Sequence, residues 1–207
     1  MEANKTLLIL AIIVVVISIV NVSVTFLKVS DFKEQITGYA SGYINVTIQS
    51  QIIVNVSRAS INWSSGTVNP GETNANIFTH AETAESLRGN WTTSVGGMVI
   101  ENVGNVNCSI DLQSNESAAT LIGGTDPGFQ WNITVKDVDS CDNGAGPALS
   151  TWWDVNSSEA QEFCDQFGYI TASNEVYLDI NLTIPYDATM NGARFSTITI
   201  TADAAGD

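Results

Sequence analysis

Read for the spacing of its apolar residues, the chain changes period once. Leu7 to Ile17 is an unbroken apolar run, LLILAIIVVVI, and Thr6 to Leu27 is a mostly apolar stretch of 22 residues. At about 1.5 Å rise per residue this is a helix of roughly 33 Å, about one hydrocarbon core. The polar interruptions Ser18, Asn21, Ser23 and Thr25 lie toward its far end. A cleaved signal peptide has a comparable apolar centre, but no A-x-A site follows within a few residues, so an uncleaved signal anchor is expected. Val22, Phe26, Val29 and Ile36 continue at helical spacing, and Gly38 is a natural stop. Residues 1–37 therefore read as a transmembrane anchor and stalk.

From Gly38 the pattern turns to period two. Alternating runs recur at 43–49, 52–63, 75–80, 98–102, 106–112, 131–136, 176–184 and 195–202. The cleanest is VYLDINLTI, with Val176, Leu178, Ile180, Leu182 and Ile184 expected inside and Tyr177, Asp179, Asn181 and Thr183 outside. Turn signals such as Asn69-Pro70-Gly71, Gly123-Gly124 and Asn191-Gly192 separate the runs. Short strands, clean alternation and no long amphipathic helix predict one antiparallel β-sandwich domain over residues 38–207.

Charge narrows the function. The chain has 22 acidic against 7 basic residues, a formal net charge of −15. That balance excludes ordinary nucleic-acid binding, which needs Lys and Arg to displace counterions. Charge does not set the orientation of the anchor, because Lys5 precedes it and Lys28 and Lys33 follow it beside Asp31 and Glu34. Asparagine does. N-x-S/T triplets fall at 11 positions where 19 Asn and 40 Ser plus Thr predict about 4 by chance. Those beyond the anchor are Asn45, Asn55, Asn62, Asn90, Asn107, Asn115, Asn132, Asn156 and Asn181. Asn45, Asn55, Asn107, Asn132 and Asn181 each sit between apolar residues of a strand, so each is expected to face solvent and carry an N-glycan outside the cell.

Outside the cell thiols pair. Cys108 shares a strand face with Val106, Ile110 and Leu112 and reads as core. Cys141 and Cys164 flank a long segment without strand pattern, and a bridge between them would restrain it by roughly 3 kcal/mol; other pairings of three cysteines stay open. Trp152 and Trp153 lie inside that segment. They could cap an open end of the domain or stack on a sugar or a partner surface. The run DVDSCDNG brings together Asp137, Asp139 and Asp142, weak oxygen ligands for Ca²⁺; Cys141 stands where an EF-hand loop needs an acid and the closing Glu is missing. His80 reads as a surface or half-buried histidine. No nucleophile elbow, zinc-protease helix, C-x-x-C or phosphate loop is present, and no cofactor is expected.

Three stretches carry a resemblance: GYASGYINVTI, MVIENVGNVNCSIDLQS and IPYDATMNGARFSTITITA. Together they resemble membrane-anchored Ig-like surface proteins of archaea, and the first two are loosely similar to camelysin-like fibre proteins. The resemblance implies a mainly β chain, an antiparallel Ig-like β-sandwich behind a single transmembrane and stalk helix, with a structural or adhesive role and no catalytic residue. An apolar helix feeding a glycosylated sandwich also resembles an archaeal type IV pilin, although MEANKT stands where such chains carry a basic residue and glycine. The expected function is thus a non-catalytic, single-pass surface protein that self-associates in a surface layer or fibre. The alternatives are a pilin-like subunit polymerising through its helix and an adhesin that binds through the Cys141–Cys164 loop.

Overall fold

A computed structural model describes residues 2–36, 49–92, 95–144 and 148–205. The chain divides into two compact units, Met1–Ile48 and Gln49–Asp207. In the first, helix α1 runs over Glu2–Ile36. Its segment Asn4–Thr25 has a mean hydropathy of 3.1 with none of it buried, long and apolar enough to cross a membrane. A helix is the form such a segment takes in lipid, because it satisfies its own backbone hydrogen bonds. The strand expected over 43–49 lies almost wholly outside the described residues.

The second unit is built from β1 (Val54–Arg58), β2 (Asn74–His80), β3 (Thr83–Leu87), β4 (Met98–Asn102), β5 (Cys108–Ser114), a short helix α2 (Ala118–Leu121), β6 (Gly128–Val135), β7 (Cys141–Asp142), β8 (Trp153–Asp154), β9 (Gln161–Phe167), β10 (Glu175–Pro185) and β11 (Ile198–Ala204). Among the described residues every strand pair is antiparallel. Among the described residues one sheet has seven strands, the other four in the order β11-β5-β9-β7. Their facing sides share one apolar core. Ile100, Trp131, Ile133, Val176, Leu178 and Ile180 come from the larger sheet; Cys108, Ile110, Leu112, Phe163 and Phe167 come from the smaller. Trp131 of β6 meets Phe163 of β9 edge to face, ring centroids 5.3 Å apart, which ties the two sheets together at their widest side chains.

β10 is the axis of the larger sheet. On one side it pairs with β6 over Val176–Thr183. On the other it pairs first with β4 over Glu175–Leu178, then with β2 over Asn181–Pro185. Between these two partners the ladder is completed by side chains: the Ile180 N–H donates to Thr79 Oγ1 at 3.0 Å, and Asp179 Oδ1 accepts from the Ala81 N–H at 2.9 Å. A β-carbon on Gly97 would lie 2.4 Å from Asp179 Oδ1, so glycine is what lets the backbone approach this carboxylate.

Two expectations change here. Val176, Leu178 and Ile180 are buried as predicted, but Tyr177 and Asp179 are buried as well. They face the outer side of the sheet, yet the backbone near Ala81 and Gly97 lies over them. The segment expected to lack strands between Cys141 and Cys164 contains β8 and the first three residues of β9, a strand whose Phe163, Cys164 and Phe167 are core. β9 pairs with β5 through register shifts, so its buried positions do not alternate and the period-two signal is lost.

Candidate functional site

The registers gather one end of the β unit from the turn between β4 and β5, the connections β6–β7 and β9–β10, and the chain entry at Gln49. Side-chain amides hold it together. Asn102, fully buried, donates from Nδ2 to the carbonyls of Val106 (3.0 Å) and Phe167 (3.1 Å), and its Oδ1 accepts from the Gly104 N–H at 3.0 Å. Asn174 Nδ2 donates to the Asn102 carbonyl at 3.1 Å. Beside this knot an open cleft of about 510 Å³ is lined by residues that include Asn107, Asp139, Asp142, Asn143, Gln166 and Tyr169. The disulfide joining Cys141 to Cys164 forms at its wall, as the loop reading predicted. Cys108 is the free, buried cysteine. Burial pushes its thiol up to about 11.

The three acidic residues separate. Asp139 and Asp142 line the cleft. Asp137 turns to the backbone, its Oδ2 accepting from the N–H groups of Asn174 and Glu175 at 3.4 and 3.1 Å. Among the described residues no three His, Cys, Asp or Glu side chains converge as a metal site. The tryptophans separate from the bridge too. Trp153 pairs with Trp131 in the seven-stranded sheet, whereas the disulfide belongs to the four-stranded one. Trp153 is 37% exposed and Trp152 half-buried, and neither is among the residues lining the cleft. His80 is exposed at the end of β2.

Most glycan acceptors reach the surface. Asn55, Asn62, Asn90, Asn107 and Asn115 are exposed. Asn90 and Asn115 each use Oδ1 in the fold, accepting from Thr67 N–H (2.6 Å) and Thr197 N–H (2.7 Å). Asn156 is half-buried, and its Oδ1 accepts from the Ser158 N–H two residues on at 2.9 Å. Asn181, also half-buried, spends its Nδ2 on Gln130 Oε1 at 3.2 Å. Asn132 departs from expectation. It is 3% exposed, because it stands opposite Asp179 on the covered part of the outer face, and its Nδ2 points to Thr134 Oγ1 at 3.4 Å. Asn45 lies outside the described residues.

A cluster that periodicity did not disclose lies on that same outer face. Tyr177 donates to Glu82 Oε1 at 2.6 Å, and Arg58 pairs with the other oxygen of Glu82 while donating to the Gly97 carbonyl at 2.9 Å. The Tyr177 and Arg58 hydrogen bonds hold the Glu82 carboxyl below the usual carboxylate range. Burial, followed by the Glu82 bond, pushes the Tyr177 phenol up to about 12. The signal available beforehand was Gly96-Gly97 just ahead of a strand, a mark of close backbone approach. Compared with protein-family models, curated proteins and solved structures, the chain matches none of them.

Proposed function

We propose that this chain is a non-catalytic structural protein of the cell surface. In this reading it resembles the archaeal Ig-like surface proteins: α1 anchors it in the membrane, and the β unit is an outward-facing, N-glycosylated Ig-like sandwich that self-associates in a surface layer or fibre. The observation that carries the reading is α1. Its Asn4–Thr25 segment buries nothing within the fold, so its apolar surface calls for lipid or for other helices. The sequon excess supports the side of the membrane, since five acceptors are exposed on the β unit and an acidic, glycan-bearing surface suits a crowded exterior. Lipid would hold the helix while the disulfide and the Asn102 knot keep the β unit rigid.

Intact-mass and glycopeptide measurement on protein from its native host tests this. The reading expects added glycan mass at Asn55, Asn62 and Asn115. An unmodified mass at every acceptor overturns it.

A further inference from the structure

The sheet edges of the β unit are unequally protected. An open edge exposes unpaired backbone groups and recruits further strands unless it is short, bulged, charged or covered. β7 and β8 are two residues each. β1 carries a register shift between Val56 and Arg58, and an exposed sequon, Asn55, at its second residue. β3 carries Glu85 and is followed by Arg88 in a left-handed conformation (φ 59°). β11 carries one charge, Asp203, but it is neither short nor bulged, and among the described residues no strand pairs with its outer side. It is seven residues long, pairs with β5 in unbroken register from Ile198↔Ser114 to Ala204↔Cys108, and contains no proline, lysine or arginine. Ile198, Ile200 and Ala202 pack toward the core while Thr199, Thr201 and Asp203 are exposed.

The ladder also fixes which backbone groups are free. Asn115 N–H donates to the Thr197 carbonyl at 3.1 Å, one pair before Ile198↔Ser114. Hydrogen-bonded pairs alternate along an antiparallel ladder, so Thr199, Thr201 and Asp203 bond to β5. The N–H and C=O groups of Ile198, Ile200, Ala202 and Ala204 then point to the open side. We propose that this side pairs antiparallel with β11 of a second copy, centred on Thr201. That deepens the self-association proposed above, and rests on it, by naming the edge and the register.

The strand is complementary to itself in this register. Ile198 falls opposite Ala204 and Ile200 opposite Ala202, so the core-facing sides stay apolar. On the other face Thr201 meets Thr201, a pair that can hydrogen-bond, and Asp203, the only charge in the strand, meets Thr199 and not another carboxylate. Two four-stranded sheets become one continuous sheet. Copies of a chain carrying −15 repel at long range, and salt screens that repulsion within about 10 Å, so the paired fraction rises with ionic strength.

The test is cysteine cross-linking of the full chain in detergent micelles. Cys108 is buried and Cys141 is bridged to Cys164, so an introduced thiol reports alone. Thr201 faces its own copy across a non-hydrogen-bonded pair, about 4.5 Å between α-carbons, within disulfide reach. Thr201→Cys is expected to form a covalent dimer under mild oxidation. Thr199→Cys alone stays monomeric, but mixed with Asp203→Cys it gives the heterodimer. Adding Ala202→Pro to Thr201→Cys removes the dimer without shifting the thermal transition, because the Ala202 N–H faces the open side and not β5. Absence of the Thr201→Cys dimer, or equal cross-linking of Thr199→Cys alone, overturns the proposal. A glycosylated surface chain without that dimer loses only this edge. An unglycosylated cytosolic chain that forms the dimer loses only the surface reading.

Discussion

Helix α1 and strand β10 are the two most apolar long elements of the chain, and they treat that apolarity in opposite ways. The large side chains from Leu7 to Val24 are 49% to 66% exposed, whereas Val176, Leu178 and even Asp179 in β10 are wholly buried. β10 is satisfied inside the protein: strands flank it on both sides, the core covers one face and the Ala81 and Gly97 backbone covers part of the other. α1 has no such cover in its own unit. The same hydrophobic driving force builds a core in one region, while the other is a helix long and apolar enough to cross a membrane. The difference teaches that burial of apolar residues, and not their number, separates a core strand from a helix able to cross a membrane.

The largest effect comes from breaking the proposed anchor. Placing arginine at Ile13 and Val16 should cost about 2.5–3.5 kcal/mol each at the centre of a spanning helix, moving the protein from the membrane to the soluble fraction while the β unit keeps its thermal transition. Fractionation followed by thermal melting reads both. Next comes the core contact between the sheets. Phe163→Ala should destabilise the β unit by about 3–5 kcal/mol in denaturant unfolding, and Trp153→Ala, at a partly exposed edge, by less than half of that. Asp179→Ala should cost about 1–3 kcal/mol, because it removes a buried carboxylate and leaves the half-buried Ala81 N–H and Thr134 hydroxyl without this acceptor.

Smaller effects sharpen the contrast through pH. The Tyr177 phenol rises from 10.0 to about 12 on folding, so above pH 10 the unfolded chain loses this proton first. Its contribution to stability is complete below pH 10 and falls as pH climbs toward about 12. Tyr177→Phe should flatten that alkaline decline in a melting-temperature profile. Glu82 behaves in the opposite sense: its carboxyl is held low, so its contribution is present at neutral pH and disappears as acid carries it through its folded value. The smallest test is chemical. With its thiol at about 11 and its side chain buried, Cys108 should resist alkylation at pH 8 in the native protein and react once the β unit is unfolded.

Much of this architecture was legible in the sequence because it depends on local spacing. The run expected over 106–112 keeps its alternation from Cys108 to Leu112 in the burial of β5, which extends to Ser114, and the Met98–Asn102 run is β4 residue for residue. The bridge between Cys141 and Cys164 is one of the pairings the sequence left open, the one that restrains the segment they flank. What escaped depends on neighbours distant in sequence. β9 hides because its pairing with β5 shifts register, placing Phe163 and Cys164 side by side in the core. Asn132 and Asp179 have the pattern of solvent-facing residues; only the chain passing over that face buries them. The amide knot at Asn102 and Asn174 joins residues 72 apart, beyond any window of periodicity. The candidate acidic site was only partly legible, since adjacency in DVDSCDNG does not say that Asp137 serves the backbone of β10.

The central claim, that lipid separates the two ends of this protein, is tested most directly by labelling intact cells with a membrane-impermeant amine reagent and reading the lysines by peptide mass spectrometry. Lys5 stands at the N-terminal end of the apolar segment and Lys136 is an exposed residue just past β6. The account predicts labelled Lys136 and unlabelled Lys5 until the membrane is opened. Lys136 protected in intact cells, or Lys5 labelled equally with it, would contradict it.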